Sequence, residues 1–238
     1  MNIQVQYRSA AGRTCVDEPA GLRGVPVEER APLSEPRAYK GRRSKLTRWA
    51  AATTGWDVWC ASTVQTDAAM LLDFDPDIVC FQSRVVQLRW EKSGKGGTVE
   101  PAFVARTRHG QRLAIVHRSR DASGVEEQVM RQTADEAGWQ IHPLEVPQGV
   151  LRSSLQCAAH FRDTKITDPG ARQVLLEVFA TPRPLQTGAA VSGLGLNAPA
   201  YAWHLVWTGE LTCDWSKPLL PTSLVWASGT KPLEEMHG

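Results

Sequence analysis

The 238-residue sequence has no long hydrophobic run, no cysteine pair at C-x-x-C spacing, no histidine pair at H-x-x-x-H spacing and no strong excess of charge. Its apolar stretches stay below the roughly 20 residues that a membrane-spanning helix needs, so we expect neither a membrane span nor a signal peptide. Five cysteines without paired spacing disfavour a disulfide framework and a zinc ribbon, and they suit a reducing cytoplasm. The net charge of +2 is too small to indicate nucleic-acid binding by itself.

The length accommodates one large domain or two small ones, and 42% hydrophobic with 22% charged residues is typical of a globular protein. One short segment is rich in arginine and lysine and has few acidic residues nearby. Such a run is either a solvated surface or a contact with DNA phosphates, and both interpretations stay open. Its basic residues are Arg37, Lys40, Arg42, Arg43, Lys45 and Arg48.

The most informative segment is 62–76, which predicts a helix with a defined start and end. Ser62 and Gln65 have the S-x-x-Q form of a capping box, and apolar residues at 64, 68, 71 and 72 follow at helical spacing. Pro76 prevents the helix from continuing. Residues 78–81 are then typical of a strand, so a capped helix leads into a β region.

The remaining segments predict a core of strands and helices and a second region after it. Residues 1–37 contain many glycines and prolines, so apart from an alternating stretch at 3–7 we expect an irregular, loosely attached arm. Beyond 78–81, strands are predicted at 84–90, 99–106 and 112–117, then a helix at 125–137 and a strand at 139–146. After residue 147 we expect three helices, a linker loop at 181–199 and a hairpin.

Three stretches together resemble TnsA-like heteromeric transposase endonucleases of actinobacterial type. That family begins with strings close to S-Y-[KR]-G-Q-R-N and W-x-A-T-T-G, followed by S-x-[LV]-E-x-D-x-x-x-L-L-D-F-D-P, which 38–76 matches in order. Its closing strings, H-L-[LV]-W-x-x-E-L and D-x-x-x-P-L, are matched at 204–211 and 214–219. The resemblance is collinear from about residue 39 to residue 226.

The resemblance implies an α+β fold. It places a restriction-endonuclease-like mixed-sheet core at 38–147 and a small helical, winged-helix-like domain at 148–238, after the arm of residues 1–37. It also implies DNA as substrate, Mg²⁺ as cofactor, and a DDE-type transposase subunit and an AAA+ ATPase transposition regulator as partners. In the family, the catalytic residues are a glutamate on the first helix, an aspartate after a proline, and an [EQD]-x-K/R pair on the next strand.

This sequence departs from the family at three of those four positions, which are occupied by Gln65, Ala102 and Val116, and Arg118 stands at the K/R position. The hard cation Mg²⁺ prefers carboxylate oxygens, which none of these side chains supplies. Arg118 keeps a positive charge but stays protonated, so it cannot act as a base. We therefore expect an inactive subunit that holds no metal and acts by binding DNA or partners.

Two alternatives stay open. A rebuilt Mg²⁺ site from Glu100, Asp67 and Arg118 would make the chain an active endonuclease with a shifted site at transposon ends, and Glu100 lies on the same strand face as Ala102 if the strand is regular. A repurposed DNA-binding regulatory protein would bind duplex DNA with steep salt dependence and would have no transposition partner.

Overall fold

Contacts between residues divide the chain into two units, Met1–Val146 and Pro147–Gly238. The computed structural model describes residues 1–36, 45–117, 124–163 and 165–229. This described part is a mixed α/β protein with six α-helices and four sheets. None of the described helices has the length and apolar character needed to cross a bilayer.

The first unit contains ten strands and two α-helices among its described residues. In chain order these are β1 (Asn2–Arg8), β2 (Thr14–Asp17), β3 (Thr47–Ala50), β4 (Asp57–Cys60), α1 (Thr63–Phe74), β5 (Ile78–Gln82), β6 (Val86–Lys92), β7 (Lys95–Val99), β8 (Phe103–Thr107), β9 (Arg112–Val116), α2 (Val125–Ala137) and β10 (Gln140–Pro143). They form two four-stranded sheets, in the orders β2-β1-β6-β7 and β10-β9-β8-β5, and the small hairpin β3-β4.

The sheet β10-β9-β8-β5 is mixed. Strands β5, β8 and β9 are antiparallel neighbours, whereas β10 joins β9 in parallel after the crossover through α2. The helices α1 and α2 and the strand β5 confirm the elements predicted at 62–76, 125–137 and 78–81. In chain order, this sheet with its helices is a helix, three strands, a helix and a strand, interrupted only by the β6-β7 hairpin.

The strand predicted at 99–106 is wrong as a single element. It divides into β7 and β8, which belong to different sheets, and the break falls at 100–102. Pro101 has no N–H to donate to a sheet ladder, so pairing is interrupted there. It resumes where the Ala102 N–H donates to the Ile115 carbonyl at 2.8 Å.

The first 36 residues are part of the first unit, which corrects the expectation of a loosely attached arm. Strand β1 pairs antiparallel with β6, and Ile3, Val5 and Tyr7 are buried in one cluster with Leu88. The closely spaced prolines and glycines are accommodated by two short 3-10 helices, Pro19–Leu22 and Val27–Glu29. Local composition indicated irregular chain, but the partner of β1 lies far along the sequence.

The second unit contains four α-helices and a three-stranded sheet among its described residues. Its elements are α3 (Gly149–Ala159), α4 (Pro169–Val178), β11 (Arg183–Pro184), α5 (Leu185–Val191), α6 (Ala198–Trp207), β12 (Leu211–Cys213) and β13 (Leu224–Ala227), with the sheet order β11-β13-β12. The predicted hairpin is confirmed, since Leu211 pairs with Ala227 and Cys213 with Val225.

The linker loop expected at 181–199 is wrong, because β11, α5 and the 3-10 helix Gly195–Asn197 lie within it. Pro184 stands at the N-cap of α5, where no helical hydrogen bond from its nitrogen is needed. Gly188 lies inside α5 for a packing reason. A Cβ atom at Gly188 would meet the Phe179 ring at 2.2 Å, and Phe179 is fully buried.

Gly188→Ala should therefore destabilise the second unit by about 1–3 kcal/mol, despite the better helix propensity of alanine. The Phe179 ring would have to move within a packed interior. Urea unfolding followed by circular dichroism measures the effect. Gly170→Ala in α4 is the control, since its Cβ would meet only Asp168 Oδ1 at 3.3 Å. Equal stability of both variants would contradict the packing explanation.

Candidate functional site

Gln65 lies in the first turn of α1, where it completes the predicted cap. The Gln65 N–H donates to Ser62 Oγ at 3.2 Å, and Gln65 Oε1 accepts the Ala61 N–H at 2.6 Å. The Gln65 amide nitrogen lies 3.2 Å from Nε2 of His117. Because Oε1 already accepts a hydrogen bond, the amide nitrogen is the donor, and His117 Nε2 accepts with its ring proton on Nδ1.

The other family positions meet at the same edge of the mixed sheet. Ala102 immediately precedes β8, and Val116 is the last residue of its antiparallel neighbour β9. His117 follows Val116 directly, so its contact with Gln65 joins α1 to the end of β9. Arg118 lies outside the described residues. The structure thus brings together three of the four positions, and it adds His117, which no sequence motif had indicated.

A cleft of about 1070 Å³ opens at this edge. It is bordered by the ends of β7 and β9, by the N-terminal half of α2 and by β10. Its lining combines apolar side chains with charged ones. The lining residues are Val99, Glu100, Val116, His117, Glu126, Glu127, Met130, Arg131, Ile141, Pro143 and Leu144.

The residues named for a rebuilt metal site are described only in part, since Arg118 lies outside the described residues. Glu100 lines the cleft but is ion-paired with Arg84, with 3.0 Å between Oε1 and Nη1. Asp67, on α1, is not among the described residues that line the cleft. No three histidine, cysteine, aspartate or glutamate side chains within the described ranges are placed to hold a metal ion.

The basic run is described only in part, since Arg37, Lys40, Arg42 and Arg43 lie outside the described residues. Lys45 is exposed just before β3. Arg48 lies on β3, and its guanidinium carbon is 4.2 Å from the centre of the Trp59 ring. Its Nη1 is 3.6 Å from Asp57 Oδ2. About half of the Arg48 side chain remains exposed at 53%, so its charge is accessible to a phosphate.

The string L-L-D-F-D-P has a structural role that its resemblance to a nuclease motif did not indicate. Asp73 is buried, and its carboxylate accepts hydrogen bonds from Trp49 Nε1 at 2.9 Å, the Ala52 N–H at 3.1 Å and the Thr53 N–H at 2.8 Å. It therefore attaches the turn after β3 to the end of α1. Residues 49–55 and residues 71–76 are therefore in direct contact.

A second buried carboxylate, Glu28, was missed because it lies in the segment predicted to be irregular. Its side chain is fully buried, with Oε1 3.0 Å from Arg106 Nε and Oε2 3.1 Å from Arg112 Nε. Glu29 also pairs with Arg106. The 3-10 helix Val27–Glu29 packs against β5 and β8, so these pairs anchor it to the mixed sheet.

The closing motifs also have structural roles in the second unit. Nδ1 of His204 lies 2.7 Å from the Phe161 carbonyl oxygen. The Leu219 N–H donates to Ser154 Oγ at 3.0 Å. A hydrogen bond from the Ser216 hydroxyl, with one from Lys217, lowers the pKa of Asp214 to about 2. These contacts account for the residue types at these positions without a catalytic role.

Three cysteine thiols are held un-ionised by burial. Desolvation raises the pKa of Cys60 to about 12, that of Cys80 to about 11 and that of Cys213 to about 12. The thiolate is the nucleophile, so buried thiols with a raised pKa are unreactive at neutral pH. Cys157 is exposed and Cys15 is half-buried.

We therefore expect iodoacetamide at neutral pH to modify Cys157 first, then Cys15, and to modify Cys60, Cys80 and Cys213 only after unfolding. Mass spectrometry of peptides taken over time measures each rate. Raising the pH to about 9 should leave the three buried thiols slow, because the pKa of each stays above that pH. Native-state modification of a buried thiol as fast as that of Cys157 would contradict this order.

No protein family model matches the chain, and no curated protein sequence matches it either.

Proposed function

We propose that the chain is a TnsA-like subunit of a heteromeric DNA transposase, without nuclease chemistry, that binds DNA or partner proteins during the processing of transposon ends. One observation carries the proposal. Gln65 contacts His117 directly after β9, and the Ala102 N–H bonds to Ile115 of the same strand, so neutral side chains stand near this strand end where the resemblance expects metal ligands.

The topology of the first unit supports a restriction-endonuclease-like core. That core has a mixed sheet flanked by helices, built from a helix, three strands, a helix and a strand. Here α1 precedes the antiparallel strands β5, β8 and β9, and α2 leads to the parallel strand β10. In the second unit, three of the four helices and the β12-β13 hairpin are the parts of a winged-helix-like domain.

Partner proteins of this subunit would be a DDE-type transposase and an AAA+ ATPase regulator. The exposed charges of Lys45 and Arg48 provide a contact for end DNA. Binding of the transposase and binding of duplex DNA can be measured separately. A chain that neither co-purifies with such a transposase nor binds duplex DNA at low salt would overturn the proposal.

Calorimetric titration with Mn²⁺ tests whether the chain lacks a metal site at these positions. The natural chain is compared with a variant that carries Gln65→Glu, Ala102→Asp and Val116→Gln. We expect no binding heat from the natural chain and clear binding by the variant. A glutamate at 65 can still accept the Ala61 N–H, so the helix cap survives the change. Circular dichroism establishes that the variant is folded.

The control variant carries Val16→Glu and Val79→Glu, which add two carboxylates at exposed residues of different sheets, neither of which lines the cleft. It should not bind Mn²⁺. Binding by the natural chain would indicate a rebuilt site, and Glu100→Ala would then be the next variant. Absence of binding by both the natural chain and the restored variant would contradict the placement of the nuclease motif.

A further inference from the structure

The cleft at the sheet edge has an apolar floor and an acidic rim. Three carboxylates line it against one guanidinium, that of Arg131. Arg131 is already engaged with Glu127, with 2.6 Å between Nη2 and Oε1, and Glu100 is paired with Arg84. Glu126 is exposed and makes no ion pair within the described part of the chain. The rim therefore carries a negative charge that is not compensated by the described lining.

This charge disfavours a nucleic acid in the cleft. A nuclease offsets its own carboxylates with bound metal. Of the three neutral positions, only Val116 lines the cleft, and its side chain supplies no metal ligand. The N-terminus of α2 would attract a phosphate through the helix dipole. Glu126 and Glu127 occupy that first turn and oppose the attraction. A phosphodiester placed here would face carboxylates at short range.

We infer that the cleft binds an extended peptide segment of a partner protein, in which lysine or arginine alternates with apolar residues. Its volume lies near the upper end of small-molecule sites and suits a peptide. Among the described strands, β7 is the outermost of its sheet, and of its residues only Val99 lines the cleft. An extended peptide that passes Val99 would place its side chains alternately toward the apolar lining and toward Glu126.

This inference deepens the proposed function and rests on it for the identity of the protein that carries the peptide. The chemistry of the ligand depends only on the cleft itself. The two can therefore fail separately: a cleft that binds basic peptides in a chain without transposase partners would leave the inference standing and remove the proposed function.

The test is the panning of the full chain against a phage-displayed library of random peptides of about twelve residues, followed by titration of the selected peptide in synthetic form. We expect enrichment of peptides that alternate basic and apolar residues. Glu126→Lys should weaken binding of the selected peptide at least about tenfold, because it reverses the rim charge. Glu91→Lys is the matched control, since it makes the same change at an exposed residue of β6 outside the cleft.

Three results would overturn the inference. The first is panning that enriches no peptides or enriches acidic ones. The second is binding that survives Glu126→Lys or is weakened equally by Glu91→Lys. The third is displacement of the bound peptide by a short DNA duplex at physiological salt, which would show that the cleft takes nucleic acid. Both substituted residues are exposed, so neither variant should lose its fold.

Discussion

Replacing Glu28 with glutamine should lower the free energy of unfolding of the first unit by about 3 kcal/mol. Arg106 and Arg112 are direct cross-strand partners on β8 and β9, and like charges at opposed positions destabilise a sheet. Glu28 lies fully buried and within ion-pair distance of both guanidinium groups. Its removal leaves two neighbouring, partly buried cations without their shared carboxylate.

Urea unfolding followed by tryptophan fluorescence measures the loss for Glu28→Gln. Limited trypsin digestion gives a local readout, since release of the 3-10 helix Val27–Glu29 should speed cleavage after Arg30, which is half-buried in the natural chain. Glu29→Gln is the matched control. Glu29 pairs only with Arg106 among the described residues and is 39% exposed, so its loss should cost less than about 1 kcal/mol. Equal losses in the two variants would contradict the role of burial.

The second large effect is expected at Asp73. Asp73→Ala should cost about 3–5 kcal/mol, because three donors, Trp49 Nε1 and the N–H groups of Ala52 and Thr53, lose their acceptor together. Trp49 is itself buried, so water cannot replace the lost contact at its indole nitrogen. Asp73→Asn keeps the shape but loses the charge and should fall between the alanine variant and the natural chain.

Denaturant unfolding gives the global loss, and hydrogen exchange identifies its location. The amides of Ala52 and Thr53 should exchange faster in Asp73→Ala. The amides of β9 should exchange faster only by the amount that the lower global stability explains. Asp75→Ala in the same string is the control, because the exposed Asp75 carboxylate accepts from the Asp77 N–H alone among the described contacts. Unchanged exchange at Thr53 in Asp73→Ala would refute the attachment of this turn to α1.

The residues that stabilise the fold are separate from those of the candidate site. Asp73 and Glu28 hold the β3-β4 hairpin and the N-terminal segment to the helix and sheet that carry the candidate site. Neither residue lines the cleft. The side chains at the candidate site can therefore differ without loss of the contacts that hold these segments.

Local signals alone determined several elements. Ser62 and Pro76 bound α1, and Asp168 with Pro169 starts α4, because caps and proline act on residues within one turn. The neutral residue types at 65, 102 and 116 were also visible in the sequence, since the absence of a carboxylate needs no coordinates. These features depend on residues close together in the chain.

The tertiary structure decided everything that depends on distant partners. Strand β1 became part of a sheet because β6 lies beside it, and Glu28 became a buried anchor because Arg106 and Arg112 converge on it. The pairing of Gln65 with His117 likewise joins residues far apart in the chain. Periodicity and propensity report only local preferences, and the burial and charge pairing that decide these roles arise when separate segments pack together.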